Sequence, residues 1–181
     1  MSAITENPPL DRPRALNRRP LVAAGLLLGV GLGAFADGIF LHQILQWHNM
    51  LASQLPVTDL VSAKVNMFWD GLFHAFAWVI TLAGLLTLWR AGGREDVPWS
   101  GRTFAGMLVA GWGLFNVVEG TIDHHLLQLH HVRTVPDPLA WDLGFLALGA
   151  LQLIAGFVLA RAPMSRGAQS STAPLRSRTH P

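Results

Sequence analysis

The chain has 181 residues, of which 51% are hydrophobic and only 13% are charged. This composition argues against an ordinary water-soluble domain, whose residues are about 25% charged. The isoelectric point is about 10.4, but the arginines are dispersed and have no aromatic residues between them, so we expect no nucleic-acid partner. The chain has no cysteine, which excludes disulfides and leaves nitrogen and oxygen as ligands for any metal.

Four apolar segments follow one another at residues 21–45, 67–89, 103–127 and 139–160. Each is long enough for a helix to cross a hydrocarbon layer about 30 Å thick. The predicted fold is an all-α integral membrane four-helix bundle formed by residues 20–162. Residues 1–19 and 163–181 are rich in Pro, Ser and Arg, which predicts disordered tails. We see no internal repeat in the sequence.

The first apolar segment has a second interpretation. Arg18 and Arg19 precede an apolar run that ends in Ala-Phe-Ala at residues 34–36, as in a cleavable export signal. The apolar run continues beyond that point to Leu45, which favours a retained spanning helix.

The distribution of basic residues predicts the orientation. In a four-span chain, both tails and the loop between the second and third segments lie on one side of the membrane. That side holds 11 of the 13 basic residues and leaves only Lys64 and Arg133 opposite. Since basic residues are enriched in cytoplasmic loops, both termini of this multi-pass protein are predicted to be cytoplasmic.

The same topology places seven of the eight histidines at the non-cytoplasmic ends of the segments. The acidic residues of the apolar segments fall in the same layer. On depth and helical facing, the strongest candidates for a shared site are His42, His74, Glu119, Asp123 and His124, and the next are Asp37, Asp70, Asp142, His48 and His130. By contrast, we expect His125, His180 and Asp59 to be dispensable.

Helical spacing supports part of this set. Asp70 and His74 lie four residues apart, as do Glu119 and Asp123, so each pair shares a face. In the first segment the facing is open, because on an α-helix His42 lies about 140° from Asp37 whereas His48 lies almost beneath it. Depth along the segments separates four other positions: the histidines at 48, 125, 130 and 131 lie at or beyond the ends of the segments, so we expect them to form an outer, solvated tier.

Ionisable groups at membrane depth cost several kcal/mol each unless they pair or bind a cation. Imidazole and carboxylate together suit zinc, iron, manganese or copper, so we predict a divalent metal site used in metal handling or in metal-dependent redox or hydrolytic chemistry. Three alternatives remain. The residues can form a hydrogen-bonded network in a structural or assembly protein, they can bind haem through His74 with His42 or His124, or they can conduct ions or protons.

Several strings resemble those of a known family. They are DG at 37–38 with HQILQWH at 42–48, DGLFH at 70–74, FNVVEG at 115–120 with DHH at 123–125 and HHVR at 130–133, and WDLGFL at 141–146. The chain is similar to a bacterial family of predicted four-span membrane proteins known only as a domain of unknown function. The resemblance covers about residues 20–160. It implies a bacterial inner membrane location and respiratory-oxidase assembly proteins as partners, and it supplies no catalytic residues.

The predicted orientation can be tested with single cysteines in the naturally cysteine-free chain. A cysteine replacing Ser53 should react with an impermeant thiol reagent added to intact cells, whereas one replacing Ser2 should react only after lysis. Equal labelling of both positions, or labelling at Ser2 alone, would contradict the orientation.

Overall fold

A computed structural model describes residues 15–161, all of whose regular structure is helical. Helix α1 (Arg19–Ala36) continues directly into a π-helix, π1 (Asp37–Ile44), and helix α2 is Leu60–Gly92. Helix α3 (Gly101–Glu119) continues into a second π-helix, π2 (Gly120–Leu126), and is followed by α4 (Leu139–Arg161). The predicted all-α fold with four helices able to span a membrane is confirmed. The predicted tails lie outside the described residues, apart from residues 15–19.

Helix α2 begins seven residues before the predicted segment, because its first two turns are polar and carry their own start signal. The Asp59 carboxylate accepts hydrogen bonds from the backbone N–H of Val61 at 2.7 Å and of Ser62 at 2.9 Å. The Ser62 side chain accepts from the Asp59 N–H in return, which completes a capping box. These backbone hydrogen bonds lower the pKa of Asp59. The structure therefore gives Asp59 a helix-capping role.

The four helices lie side by side in the order α2, α1, α3, α4. Among the described helices, the backbone of α1 lies close to those of α2 and α3, and that of α3 lies close to those of α1 and α4. Helices α2 and α3 meet only through side chains such as Phe73 and Phe115, whose ring centroids lie 6.1 Å apart. Half of the apolar window of α1 and of α3 is buried, against 11% for α2 and α4. The bundle is therefore an open layer whose two central helices carry the π-helices.

Close contact between the two central helices depends on glycine. A Cβ atom added to Gly29 would collide with the carbonyl oxygen of Leu108, and one added to Gly111 would collide with that of Leu26. Small residues let membrane helices approach closely where lipid gives no hydrophobic drive for association. Gly29 and Gly111 thus mark the crossing point of α1 and α3.

The two halves of the fold repeat one another, which the sequence analysis missed. Residues of α3 correspond to residues of α1 at an offset of 82, and residues of α4 correspond to those of α2 at an offset of 72. Gly29 matches Gly111 on this basis, and the contact of Gly84 with Leu28 matches that of Gly156 with Ala110. Each repeat contains two spans, so both have the same orientation and are related about an axis along the membrane normal, as in parallel-repeat transporters.

The glycine crossing predicts a position-dependent effect of one methyl group. Gly29→Ala should lower the thermal unfolding midpoint, since overpacking costs about 1–3 kcal/mol. Gly71→Ala is the matched control on α2, where an added Cβ meets no atom within 4 Å and alanine favours the helix. Equal melting of the two variants in mild detergent would contradict the proposed crossing.

Candidate metal centre

Each π-helix brings a carboxylate and an imidazole of the same helix together. His42 Nε2 lies 3.1 Å from Asp37 Oδ2, and His124 Nε2 lies 3.0 Å from Glu119 Oε1. Both pairs are five residues apart, a spacing that separates side chains by about 140° on an α-helix but stacks them where the backbone bonds run from i to i+5. The wider turn therefore decides the facing that α-helical spacing left open.

A second pair of histidines is folded back into the bundle after the π-helices end. Gln46 and Gln128 have φ angles of 50° and 48°, which reverse the chain two residues before His48 and His130. The side chains of these histidines are buried, with exposures of 3% and 1%. Our expectation of a solvated outer tier was therefore wrong for these two residues, because the left-handed turns redirect the chain.

His48 and His130 each form a hydrogen bond to the backbone of the opposite repeat. His48 Nδ1 donates a hydrogen bond to the carbonyl oxygen of Val132 at 2.8 Å, and His130 Nδ1 donates to that of Met50 at 3.0 Å. Since Nδ1 of His48 is the donor, its Nε2 carries the lone pair, whereas Nε2 of His130 lies 2.9 Å from Glu119 Oε1 in a second hydrogen bond. Burial, together with the neighbouring His130 and His42, lowers the pKa of His48 to about 2, so this side chain is a neutral imidazole at physiological pH.

Asp70 of α2 anchors the first repeat. Its carboxylate accepts hydrogen bonds from His42 Nδ1 at 2.9 Å, from the Met50 N–H at 2.8 Å and from Asn49 Nδ2 at 2.9 Å. The Asp70 side chain thereby orients the His42 imidazole and also fixes the position of Asn49 and Met50 after the turn.

Asp142 of α4 plays the equivalent part in the second repeat. It accepts hydrogen bonds from the Val132 N–H at 2.9 Å and from His131 Nδ1 at 2.6 Å, and it lies 3.5 Å from His124 Nδ1. Carboxylates and carbonyls that bind the outer nitrogen of a histidine are the usual support of metal-binding imidazoles, because they set the tautomer and the ring orientation.

The four imidazoles form one buried cluster across the repeat axis. The ring centroids of His42 and His48 lie 4.4 Å apart, those of His48 and His130 4.4 Å, and those of His124 and His130 4.9 Å. Within the described residues, two overlapping groups have ligand atoms within 4.8 Å of one another: His42, His48 and His130, and Glu119, His124 and His130. Each group could hold a metal ion.

Unpaired acceptor atoms converge at this cluster. The buried atoms without a hydrogen-bond partner include Asp37 Oδ2, Glu119 Oε2 and the Nε2 atoms of His42, His48 and His124. The contacts at 3.0–3.1 Å within the π-helices are short enough for a hydrogen bond but lack its alignment. With Nδ1 of His42 donating to Asp70, its Nε2 lone pair faces a carboxylate oxygen, an arrangement that requires either a proton or a cation between them.

Two of the strongest sequence candidates lie outside both groups of ligand atoms. His74 is half-buried, and its Nδ1 donates to the carbonyl oxygen of Asp70 at 2.7 Å. Its equivalent in the second repeat is Leu146, which meets Gly120 as His74 meets Gly38. Asp123 is half-buried and lines an apolar cleft between α2 and α3. The described groups also omit His125, and His180 lies outside the described residues.

The signal that would have found this arrangement is a duplicated motif. Residues 37–48 read DGIFLHQILQWH and residues 119–130 read EGTIDHHLLQLH. The acid, the glycine, the first histidine, the leucine-glutamine pair and the last histidine coincide. The two strings contain the acid and both imidazoles of each repeat, together with the glutamine that turns the chain.

The arrangement of spans and motif residues can now be compared with known proteins. The family described as "Predicted membrane protein (DUF2243)" matches residues 24–163. The chain belongs to this family. No curated protein and no solved structure matches the chain. DUF2243 membership therefore agrees with the resemblance seen in the sequence and with the four spanning helices, while its description names no ligand or reaction.

The anchoring role of the two aspartates predicts matched effects in the two repeats. Asp70→Ala and Asp142→Ala should each lower the free energy of unfolding by several kcal/mol, because each leaves a buried backbone N–H and an imidazole without an acceptor. Thermal melting should be measured in the presence of a chelator, so that bound metal does not contribute. Asp137→Ala, in the loop before α4, is the control, and anchor variants that melt like this control would contradict the assignment.

Proposed function

We propose that this protein holds a resident transition-metal centre in the membrane and uses it for metal-dependent redox or hydrolytic chemistry. Each repeat would contribute one carboxylate and two imidazoles, so the proposed ligands are Asp37, His42, His48, Glu119, His124 and His130. The observation that carries the proposal is the convergence of unpaired atoms from five of these side chains, with His130 Nε2 beside them at 2.9 Å from Glu119 Oε1. The outer nitrogens of His42, His48 and His130 are already occupied.

The distances between ligand atoms, which are also those of hydrogen bonds, are compatible with a shared ion. Nitrogen and oxygen ligands bind zinc and similar ions at about 2.0–2.2 Å, so adjacent ligands at right angles around one ion lie about 3.0 Å apart. The separations here are 2.9 Å for His130 Nε2 to Glu119 Oε1, 3.0 Å for His124 Nε2 to the same oxygen, and 3.1 Å for His42 Nε2 to Asp37 Oδ2. The imidazole and carboxylate donors suit zinc, iron, manganese or copper(II).

Resident metal fits better than transient metal handling. The proposed ligands are buried, and their positions are supported by carboxylates and carbonyls from both repeats. Such support orients ligands before the metal binds and strengthens binding, whereas a carrier must release its ion. A centre of this kind can lower the pKa of a bound water or change oxidation state, depending on the ion.

Haem binding is less well supported. A porphyrin needs a flat slot between its axial ligands, whereas the imidazoles of His48 and His130 stack at an interplanar angle of 8° and a centroid distance of 4.4 Å. Two buried carboxylates at the same level add charge without a role in haem ligation. Conduction across the membrane is also disfavoured, because the cluster lies at one end of the helices.

The location of the centre follows from the predicted orientation. If both termini are cytoplasmic, the π-helices and the connections that follow them lie toward the periplasmic or extracellular face. The proposed setting is the bacterial inner membrane, with the lipid bilayer as solvent. Contacts with respiratory-oxidase assembly proteins stay a prediction that rests on the family resemblance.

Metal analysis of the purified protein tests the proposal. Protein extracted in mild detergent without chelator should contain about one or two transition-metal ions per chain, with no Soret band. His42→Ala and His124→Ala, at equivalent positions of the two repeats, should each reduce the metal content at least about tenfold, which is the usual effect of losing a ligand or its support. His125→Ala should keep the parent metal content.

His74→Leu provides the sharpest control, because it copies the residue found at the equivalent position of the second repeat. Retained metal in this variant separates the six proposed ligands from the sequence-based prediction that His74 is a ligand. If the parent contains no metal after expression in metal-supplemented medium, the cluster is a hydrogen-bonded network and the proposal fails.

A further inference from the structure

Two apolar clefts lie beside the cluster, one in each repeat. The first, of about 460 Å³, lies between α1 and α4 and reaches Asp37. The second, of about 490 Å³, lies between α2 and α3 and reaches Glu119. In the described part of the chain, the backbones of each helix pair stay apart, and Phe73 and Phe115, which line the second cleft, pack with ring centroids 6.1 Å apart. Each cleft therefore opens between two helices that are long and apolar enough to span a membrane.

Most residues that line one cleft have a counterpart in the lining of the other. Trp69, Phe73 and Phe76 of the second cleft match Trp141, Phe145 and Leu148 of the first at the offset of 72. Glu119 and Asp37 match at the offset of 82. The clefts are therefore duplicated features of the fold, and differences between them mark where the repeats have diverged.

The two clefts differ in which polar side chains line them: among the acidic residues, the difference is at one position. The second cleft carries Asp123 where the first carries Leu41. Asp123 is half-buried, and Glu119 beside it is 6% exposed with Oε2 lacking a hydrogen-bond partner. A second carboxylate in an apolar, lipid-facing cleft is costly unless something satisfies it. Asp123 therefore points to a ligand that the first cleft does not bind.

We propose that the cleft between α2 and α3 binds a membrane-borne amphiphile whose hydroxyl head group donates a hydrogen bond to Asp123, beside Glu119. The apolar body of the ligand would lie along Trp69, Phe73 and Phe76. The hydroxyl supplies the donor that Asp123 requires, and the opening between the helices supplies the route. The inference rests on the proposed metal centre, to which it adds a substrate class, because Glu119 is shared by the cleft and the cluster.

Photolabelling with a matched pair of probes tests this proposal. One probe is a long-chain alcohol with a diazirine on its alkyl chain, and the other is its methyl ether, which cannot donate a hydrogen bond. In the metal-loaded protein in lipid nanodiscs, the alcohol should label peptides from 69–76 and 114–123 at least about tenfold more than the ether does. That factor corresponds to one hydrogen bond to a charged group.

Variants that copy one repeat into the other provide the controls. Asp123→Leu should abolish the preference for the alcohol while the metal content stays like that of the parent. Leu41→Asp should create the preference in the first cleft, with labelling of 140–148. Val118→Trp, which fills the second cleft without changing Asp123, should reduce labelling by both probes.

Equal labelling by alcohol and ether would overturn the proposal, as would an unchanged preference in Asp123→Leu, since the cleft would then hold only acyl chains. Metal content measured on the same samples keeps the two proposals separate. Metal-loaded protein without the preference contradicts only the cleft ligand, whereas metal-free protein that retains the preference contradicts only the metal centre.

Discussion

The structure depends on how two aspartates are satisfied inside an apolar layer. Asp70 and Asp142 lie on the outer helices. Each accepts a hydrogen bond from a backbone N–H in the segment after the left-handed turn, and another from an imidazole of a central helix or of the segment that follows it. Leaving any of these groups unpaired would cost several kcal/mol at this depth. The aspartates therefore tie each outer helix to its central helix at the polar end, while glycine contacts do so in the lipid layer.

Much of the fold could be predicted from the sequence, because the length and apolarity of a spanning helix are local properties. The polar layer was found in the same way, from topology alone. The direction in which each side chain of this layer points could not be predicted, since the prediction assumed 3.6 residues per turn whereas π1 and π2 have wider turns. The burial of His48 and His130 depends on left-handed turns at Gln46 and Gln128 and on carbonyls of the opposite repeat. No local pattern specifies those contacts.

The duplication explains why the site lies between the two repeats and why His48 and His130 are each oriented by a carbonyl of the other repeat. His48 binds a carbonyl of the second repeat and His130 binds one of the first, so neither repeat can form its half of the cluster alone. The repeats have also diverged where symmetry is not required. Asn49 and His131 are equivalent positions, and each donates a hydrogen bond to the anchoring aspartate of its own repeat, one from an amide and the other from an imidazole. Asp123 and Leu41 are also equivalent positions with different side chains, and they line the two clefts.

The choice between a metal centre and a purely hydrogen-bonded cluster turns on donors and acceptors. A neutral imidazole has one N–H, and His42, His48 and His130 have given theirs to Asp70, Val132 and Met50. The inner nitrogens of His42 and His48 are then acceptors, and that of His130 lies 2.9 Å from Glu119 Oε1, so three nitrogens share the space with two carboxylates. Protons can fill this space by charging an imidazole or by protonating a carboxylate, which then donates to an imidazole. One or two divalent ions would satisfy the same lone pairs and neutralise both carboxylates without added protons, and this is the reason for proposing a metal at the cluster.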